Sequence, residues 1–280
     1  MARAPRHPRR PQSPPSPPPP IDNTGPVPLD RPIFAQPQPT PDPTQFRVVH
    51  PSDDDAYRQI DALNAAHKLD PLPFPAPRGL PEPVLTLAEV FGGSGAEAVK
   101  RISDAGRLVF HAVGDTGSVG RPDDLALVAD KMTADFEDEV PENIPQFFFH
   151  LGDVVYNFGE RQYYYDQFYE PYRDYPAPIL ALAGNHDGMV APGVTVPSLA
   201  AFLDNFCAEH FEVRPEAGGL SRTAQIQPGV FFTFEAPLVR IIALYSNTLE
   251  DPGVIASPEI GKLGIPFIAP LSGSRWNPVA

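Results

Sequence analysis

The sequence lacks the features of several protein classes. A single cysteine, Cys207, excludes an internal disulfide framework and any zinc or iron–sulfur site built from several cysteines. No apolar run approaches the roughly 18 residues that span a bilayer, so we predict no membrane span. The 21 Lys and Arg residues are outnumbered by 35 Asp and Glu residues, which gives a net charge of -14. This balance argues against a broad nucleic-acid-binding surface, which needs a basic face.

Proline is abundant instead, and 16 of the 39 prolines lie in residues 1–45. Because proline fixes φ and has no amide hydrogen, we predict that residues 1–45 form a disordered, proline-rich arm. Two interpretations of the arm are open: a ligand for an SH3-like or WW-like domain, and a solubilising tail. Its first arginines are followed by prolines rather than an apolar stretch, so we predict no signal peptide and, by default, a cytoplasmic location.

The remaining sequence divides into three predicted parts. They are a helical and loop extension over 46–105, an α/β domain over 106–260 and an irregular tail over 261–280. Apolar spacing and helix-start residues predict a helix over 52–69 in the extension. In the domain, alternating strand and helix patterns indicate an α/β fold. We predict strands over 107–113, 146–151, 179–183, 230–235 and 238–245, and helices over 122–136, 160–170 and 197–211.

The first three predicted strands share the same ending. Each runs into a glycine followed by a residue with a side-chain oxygen: Gly114-Asp115, Gly152-Asp153 and Gly184-Asn185. In open α/β sheets, ligands bind beyond the carboxyl ends of the strands, and neighbouring strands lie about 4.8 Å apart. Side chains at successive strand ends can therefore share one metal ion or bridge two. One Gly-Asp pair is ordinary turn chemistry, but three such endings in order predict a metal site.

These residues resemble the conserved blocks of the calcineurin-like metallophosphoesterases, in particular those of the purple-acid-phosphatase-like branch. Residues 114–117 (GDTG) match the family's GDxG block, residues 152–156 (GDVVY) match GDxxY, and residues 184–187 (GNHD) match GNH[D/E]. The resemblance covers roughly residues 107–250. It implies a metallophosphoesterase-like β-sandwich flanked by helices, and hydrolysis of phosphate monoesters or diesters at a site with two metal ions.

The resemblance also implies roles for the metal-binding residues. Asp115 and Tyr156 would bind the first metal, Asp153 would bridge both metals, and Asn185 would bind the second. Position 117 is Gly where many members of the family carry a ligand histidine, and Tyr156 would replace that ligand. Phenolate and carboxylate are hard donors, so the expected metals are Fe(III) with Fe(II), Mn(II) or Zn(II).

His186 and Asp187 are the implied catalytic residues of the same block. His186 would lie near the leaving-group oxygen of a phosphorylated small molecule or other phosphate ester, steered by Asp187. An imidazole with a near-neutral pKa can stabilise or protonate a departing alkoxide.

The family's fourth and fifth blocks, VxxH and GHxH, do not occur in the sequence. Of seven histidines, only His210 follows the third block. We therefore expect a domain that is incomplete at its C-terminus, weakly held metals and strongly reduced turnover. The alternative hypothesis is a non-catalytic binding or scaffold protein with a degenerate phosphoesterase fold, in which the proline-rich arm carries the interaction.

Two further groups of residues have two open interpretations each. His111 and His150 lie in apolar strand runs, where they would be either buried core residues or supports for the metal ligands. An aromatic cluster would form either a substrate-binding wall or part of the packed core. Its members are Tyr163, Tyr164, Tyr165, Phe168, Tyr169 and Tyr172.

Overall fold

The computed structural model of the protein describes residues 28–35, 83–117, 122–191 and 195–245, with the isolated positions 55, 58, 59, 62, 66, 78 and 247. Most of the predicted arm over 1–45 lies outside these residues, as do most of the predicted helix over 52–69 and the whole predicted tail over 261–280. Within the described residues, none of the helices combines the length and the apolarity that a membrane crossing requires.

The described residues form strands and helices that alternate along much of the chain. In chain order, the elements are β1 (Pro28–Leu29), β2 (Val84–Thr86), α1 (Leu87–Phe91), α2 (Gly95–Ala105), β3 (His111–Val113), α3 (Pro122–Ala134), β4 (Phe148–His150), β5 (Ile179–Ala181), α4 (Asn185–Gly188), α5 (Ala200–Phe206), β6 (Phe211–Glu212), β7 (Phe232–Ala236) and β8 (Val239–Ala243). The fold is therefore mixed α/β, as the sequence predicts.

The first sheet contains β3, β4 and β5 in that order, and all of its pairs are parallel. Phe149 is in register with Ala112 on one side and with Leu180 on the other. Since the three strands are parallel neighbours, their carboxyl ends meet at one edge of the sheet. The three Gly-containing endings therefore lie side by side.

The second sheet contains β2, β7 and β8 in that order. β2 pairs with β7 in parallel, and β7 and β8 form an antiparallel hairpin. The two strands predicted around residues 236–237 are thus confirmed, whereas β2 was not predicted.

The helix that follows β2 starts with a capping box, in which Thr86 Oγ1 accepts from the Glu89 amide and Glu89 Oε2 accepts from the Thr86 amide, at 3.2 and 2.7 Å.

Side chains alternate between the two faces of the first sheet and fill two cores. Phe147 and Phe149 point towards the second sheet, where the Phe147 ring meets the Phe234 ring edge-on with centroids 5.0 Å apart. Phe148 points to the other face and packs with residues of α3 and α5, including Leu125 and Phe202. A fully buried phenylalanine contributes about 1.5–3 kcal/mol by the removal of its surface from water. β4 and β5 are therefore buried on both faces, which explains their uninterrupted apolar sequences, whereas β3 is partly exposed.

Two predicted helices differ from the observed elements. The segment predicted as a helix over 160–170 is a 3₁₀ turn, Arg161–Tyr163, followed by a π-helical turn, Tyr165–Tyr169. The helix predicted over 197–211 is shorter, because Leu199 has a φ of +63° before α5 begins and Cys207 forms a bridge with Ile226 after it ends. Both segments hold large aromatic side chains against the core, and that packing overrides the helical periodicity.

The aromatic cluster belongs mainly to the packed core. The side chains of Tyr164, Tyr169 and Tyr172 are fully buried, and Phe168 is nearly so. The interpretation as core packing is therefore confirmed for these members. Cys207 is likewise buried, and burial raises the pKa of its thiol to about 12, so it behaves as a small apolar residue.

Residues 28–35 correct part of the predicted disordered arm. β1 pairs with β6, and the Ile33 carbonyl accepts a hydrogen bond from the Thr223 amide at 2.9 Å. The Phe34 ring packs edge-on against the Phe91 ring, with centroids 5.8 Å apart. These contacts join residues far apart in sequence, so local composition could not predict them.

Candidate metal centre at the carboxyl ends of three parallel strands

Three loops leave β3, β4 and β5 at the same edge of the first sheet. They are the first loop (Gly114–Gly117), the second loop (Gly152–Tyr156) and the third loop (Gly184–Asp187, which overlaps α4). Backbone hydrogen bonds join the first two: the Asp115 amide donates to the Gly152 carbonyl at 2.9 Å, and the Gly117 amide donates to the Asp153 carbonyl at 3.3 Å. The strand order thus brings the predicted site residues into adjacent loops.

Three of the four predicted metal ligands converge on one point. The Tyr156 hydroxyl contacts Asp115 Oδ1 at 3.0 Å and Asp153 Oδ2 at 2.8 Å. The other carboxylate oxygen of Asp153 accepts a hydrogen bond from the His186 amide at 3.1 Å. Two carboxylates and a phenol therefore share a small volume, although they lie on two different loops.

Asn185, the fourth predicted ligand, is the first residue of α4. It stands in the chain between Gly184 and His186, and both of these residues contact Asp153. A Cβ built on Gly184 would clash with Asp153 Oδ1 and with the Asp153 amide nitrogen. Glycine at 184 thus lets the third loop approach Asp153 closely, and this brings the backbone of Asn185 to the edge of the carboxylate cluster.

Both predicted carboxylate ligands have an unusual backbone conformation. Asp115 has a φ of +56° and Asp153 a φ of +52°. The left-handed region costs L-residues roughly 1–2 kcal/mol each, although Asp tolerates it better than most. Such residues persist only where surrounding contacts fix them, and they cluster at functional sites. The strain is therefore consistent with a site that directs two side chains towards a ligand.

Burial and like charge act together on the carboxylate cluster. Burial raises the pKa of Asp153, and the neighbouring Asp115 carboxylate adds to this effect. Burial also raises the pKa of the Tyr156 hydroxyl, and its hydrogen bonds to both carboxylates raise it further. A bound cation would offset the repulsion between the carboxylates and displace the phenolic proton. The donor set of hard oxygens fits Fe(III), Mn(II) or another oxygen-preferring cation.

Gly117 leaves the space that Tyr156 occupies. A Cβ built on Gly117 would lie 2.7 Å from Cδ2 of Tyr156. The family resemblance implies that Tyr156 takes the place of a histidine at position 117, and the close approach gives a physical reason for such an exchange. The same volume cannot hold both a side chain at position 117 and the ring of Tyr156 in this orientation.

The His186 ring lies beside the carboxylate cluster, with its centroid 4.2 Å from that of Tyr156. Its Nδ1 is 2.7 Å from the carbonyl oxygen of Asn157. A carbonyl oxygen can only accept, so Nδ1 carries a hydrogen, and in the neutral ring Nε2 has the lone pair. The ring is thus held in one tautomer by the backbone of the second loop.

Asp187 has other partners than the imidazole it was predicted to steer. Its fully buried carboxylate accepts hydrogen bonds from the amides of Val154, Val155 and Gly184, at distances between 2.8 and 3.3 Å. Burial raises the pKa of this carboxyl to about 7, while the amide donors oppose the shift. Adjacent residues on a helical turn point in different directions, which explains why Asp187 contacts the second loop instead.

Sequence reasoning missed one residue that orients Tyr156. The Gln167 side chain accepts from the Tyr156 amide at 2.8 Å and donates to the Tyr156 carbonyl at 2.7 Å. Gln167 lies in the π-helical turn among buried aromatic residues. No motif marks it, because the contact depends on how the π-helical turn packs against the second loop.

The donor set differs from a cluster of histidines and carboxylates. Within the part of the chain that the structure describes, no three His, Cys, Asp or Glu side chains gather into a metal-holding group. The candidate centre instead combines two carboxylates with a phenol. A separate open cleft of about 490 Å³ lies near the amino ends of β3 and β4, lined by Lys100, Arg101, Arg107 and other residues, and includes none of the motif residues.

Comparison with known proteins gives one match. A family model described as calcineurin-like phosphoesterase matches residues 108–255, which is more than half of the 280-residue chain. The matched region contains all three loops. Searches of curated proteins and of solved structures give no match.

Proposed function

Because the chain belongs to the calcineurin-like phosphoesterase family, we propose that it hydrolyses phosphate esters with the aid of two metal ions at the three-loop site. The observation that carries the proposal is the contact of the Tyr156 hydroxyl with both Asp115 and Asp153. Three oxygen donors converge there from loops that the fold brings together. Oxygen-rich sites of this kind are suited to hard metal ions.

In this proposal, each loop contributes ligands. Asp115 and Tyr156 would hold one metal ion, Asn185 would hold the second, and Asp153 would contribute to both. When bound, the two cations offset the negative charge of the phosphate ester and acidify a water molecule. The hydrogen bond from the His186 amide to Asp153 Oδ1 supports this shared role, since it places the Asp153 carboxylate against the third loop, which carries Asn185.

His186 acts on the leaving group in the same proposal. The hydrogen bond between Nδ1 and the Asn157 carbonyl fixes the ring orientation. The Nε2 atom then holds or releases the proton that the departing alkoxide needs. Asp187 supports this arrangement indirectly, because it fixes the amides of the second loop rather than the imidazole.

We further place the chain in the purple-acid-phosphatase-like branch, with Fe(III) at the site that includes Tyr156. The space that Gly117 leaves for the Tyr156 ring supports this assignment. We also infer that the domain is a β-sandwich flanked by helices. The packing of Phe147 and Phe149 against Phe232 and Phe234 supports the face-to-face arrangement of the two sheets.

The proposal is tested with the purified full-length chain and p-nitrophenyl phosphate. We expect hydrolysis that depends on added Mn(II) or Fe and is abolished by Asp153→Asn. The matched control is Asp104→Asn, which neutralises an exposed carboxylate paired with Lys100 on α2. Hydrolysis that survives Asp153→Asn, or that needs no metal, would contradict the proposal.

A second candidate function is a non-catalytic binding or scaffold protein. It is favoured by the lack, among the described residues, of three grouped His, Cys, Asp or Glu side chains. His210, the one histidine beyond the third loop, is exposed and lies in a bend after α5. We accordingly propose that the metals are weakly held and turnover is low. Less than one bound metal per chain at saturating Mn(II), together with no hydrolysis, would favour the scaffold function.

A further inference from the structure

His150 ends β4 and lies between the first and second loops. Its side chain is fully buried. The Nε2 atom is 2.6 Å from Oγ1 of Thr116, and the Nδ1 atom is 3.3 Å from the amide nitrogen of Gly152. Thr116 directly follows Asp115, and Gly152 directly precedes Asp153. One imidazole therefore touches the chain neighbours of both carboxylate ligands.

The hydrogen-bond partners of His150 determine its tautomer. The Gly152 amide can only donate, so Nδ1 must be an acceptor without a hydrogen. The neutral ring then carries its hydrogen on Nε2 and donates to Thr116 Oγ1. Burial lowers the pKa of His150 to about 3, so the ring is neutral near pH 7. The imidazole thus makes one donor and one acceptor contact, each to a different loop.

The two loops need such a connection because both carboxylate ligands are held in the left-handed backbone region. Asp115 and Asp153 would each relax to a commoner conformation if their neighbours were released. The two backbone hydrogen bonds between the loops join Asp115 to Gly152 and Gly117 to Asp153. The His150 contacts add a side-chain connection that starts from the rigid strand rather than from the loops themselves.

We propose that His150 is a positioning residue that sets the relative placement of Asp115 and Asp153 through its contacts with Thr116 and Gly152. The proposal rests on the proposed metal site and concerns the affinity of that site. Residues that orient metal ligands typically change metal affinity or activity by about 10–100-fold when they are replaced. A histidine that served only the core would affect stability and leave the affinity of the folded protein unchanged.

The test measures Mn(II) binding to the full-length chain by titration calorimetry, with urea unfolding as a separate readout. His150→Asn keeps an acceptor near Nδ1 but cannot reach Thr116, and Thr116→Val removes the hydroxyl while keeping the shape. We expect each variant to weaken Mn(II) binding by about tenfold. The double variant should bind Mn(II) no more weakly than His150→Asn does, because both single changes remove the same hydrogen bond. Thr116→Ser, which restores the hydroxyl, should bind nearly as the wild type does.

His111→Asn is the matched control, because His111 lies on the neighbouring strand β3 and contacts Tyr175 and Asp135 rather than the loops. It should leave Mn(II) affinity unchanged. Unchanged affinity in both His150→Asn and Thr116→Val, with binding still abolished by Asp153→Asn, would overturn the positioning role while leaving the metal site intact. If the wild type itself binds no Mn(II), or binds it equally well as Asp153→Asn, both proposals fall.

Discussion

Gly117 and Tyr156 lie so close together that the ring of Tyr156 fills the space in which a side chain at position 117 would begin. A Cβ on Gly117 would also come within 2.8 Å of Val155 Cα and 2.9 Å of Gln167 Oε1. Val155 and Tyr156 belong to the second loop, and Gln167 fixes the backbone of Tyr156 on both sides. Any side chain at position 117 must therefore displace the residue proposed to bind the first metal.

Gly117→Ala is accordingly expected to disturb the site. The added methyl group should destabilise the fold by about 1–3 kcal/mol, as overpacking does, and weaken Mn(II) binding. Urea unfolding and titration calorimetry measure the two effects. Gly93→Ala is the control, since a Cβ there would meet no atom within 4 Å. Equal behaviour of the two variants would show that the space around Gly117 is not restrictive.

Tyr156→Phe is expected to keep the ring packing and remove the oxygen donor. The hydroxyl contacts with Asp115 and Asp153 would be lost, so the two carboxylates would repel each other without a shared hydrogen. We expect the wild type with added Fe(III) to absorb visible light through phenolate-to-iron charge transfer, and the variant to lack this band. A band of the same intensity in Tyr156→Phe would exclude the phenolate as the iron ligand.

The three-loop site was largely predictable because its parts have local signatures. Strands buried on both faces appear as continuous apolar runs, and each of the three ends in glycine before an oxygen-bearing side chain. Parallel neighbours then bring Asp115 and Asp153 to one edge. The observed contact of both with Tyr156 follows from this topology and from the short spacing within the second loop.

Other contacts were not predictable because they depend on packing between distant segments. Gln167, which contacts the backbone of Tyr156, lies in a π-helical turn where the sequence predicts a regular helix. β2 pairs with β7, and β1 with β6, across long stretches of sequence. The partner of Asp187 was wrongly predicted, since adjacency to His186 in sequence does not make two side chains face each other on a helical turn.

Above the pKa of about 7 of its carboxyl, where Asp187 is ionised, Asp187→Asn is expected to destabilise the protein by about 1.5–3 kcal/mol, the usual range for hydrogen bonds to a charged group. The carboxylate accepts from amides of two loops, and an asparagine NH₂ group would place a donor against one of those amides. Urea unfolding measures the change. Asp104→Asn, on the exposed face of α2, should change stability by less than about 0.5 kcal/mol. Similar losses in both variants would contradict the bonding role of Asp187.

His150 is expected to make stability depend on pH. Its folded-state pKa of about 3 lies below the ordinary value of 6.5, so the unfolded chain binds more protons between these values. Stability therefore falls as pH falls through this window, by about 1.4 kcal/mol per pH unit from this group alone. Unfolding free energies at pH 7, 6 and 5 should show a steeper decline for the wild type than for His150→Asn and His150→Gln. Parallel declines would mean that folding does not lower the pKa of His150.

Arg78 is expected to attach its segment to the domain. Its guanidinium donates to the carbonyls of Cys207, Ala208, Ile226 and Gln227, and the last three distances are 2.7, 3.3 and 3.0 Å. A lysine ammonium cannot span these carbonyls as the planar guanidinium fork does, so Arg78→Lys should cost about 1.5–3 kcal/mol. Arg240→Lys alters an exposed pair with Glu235 and should cost less than about 1 kcal/mol. Urea unfolding of both variants distinguishes the two cases, and an equal, small cost would mean that solvent replaces the Arg78 contacts without loss.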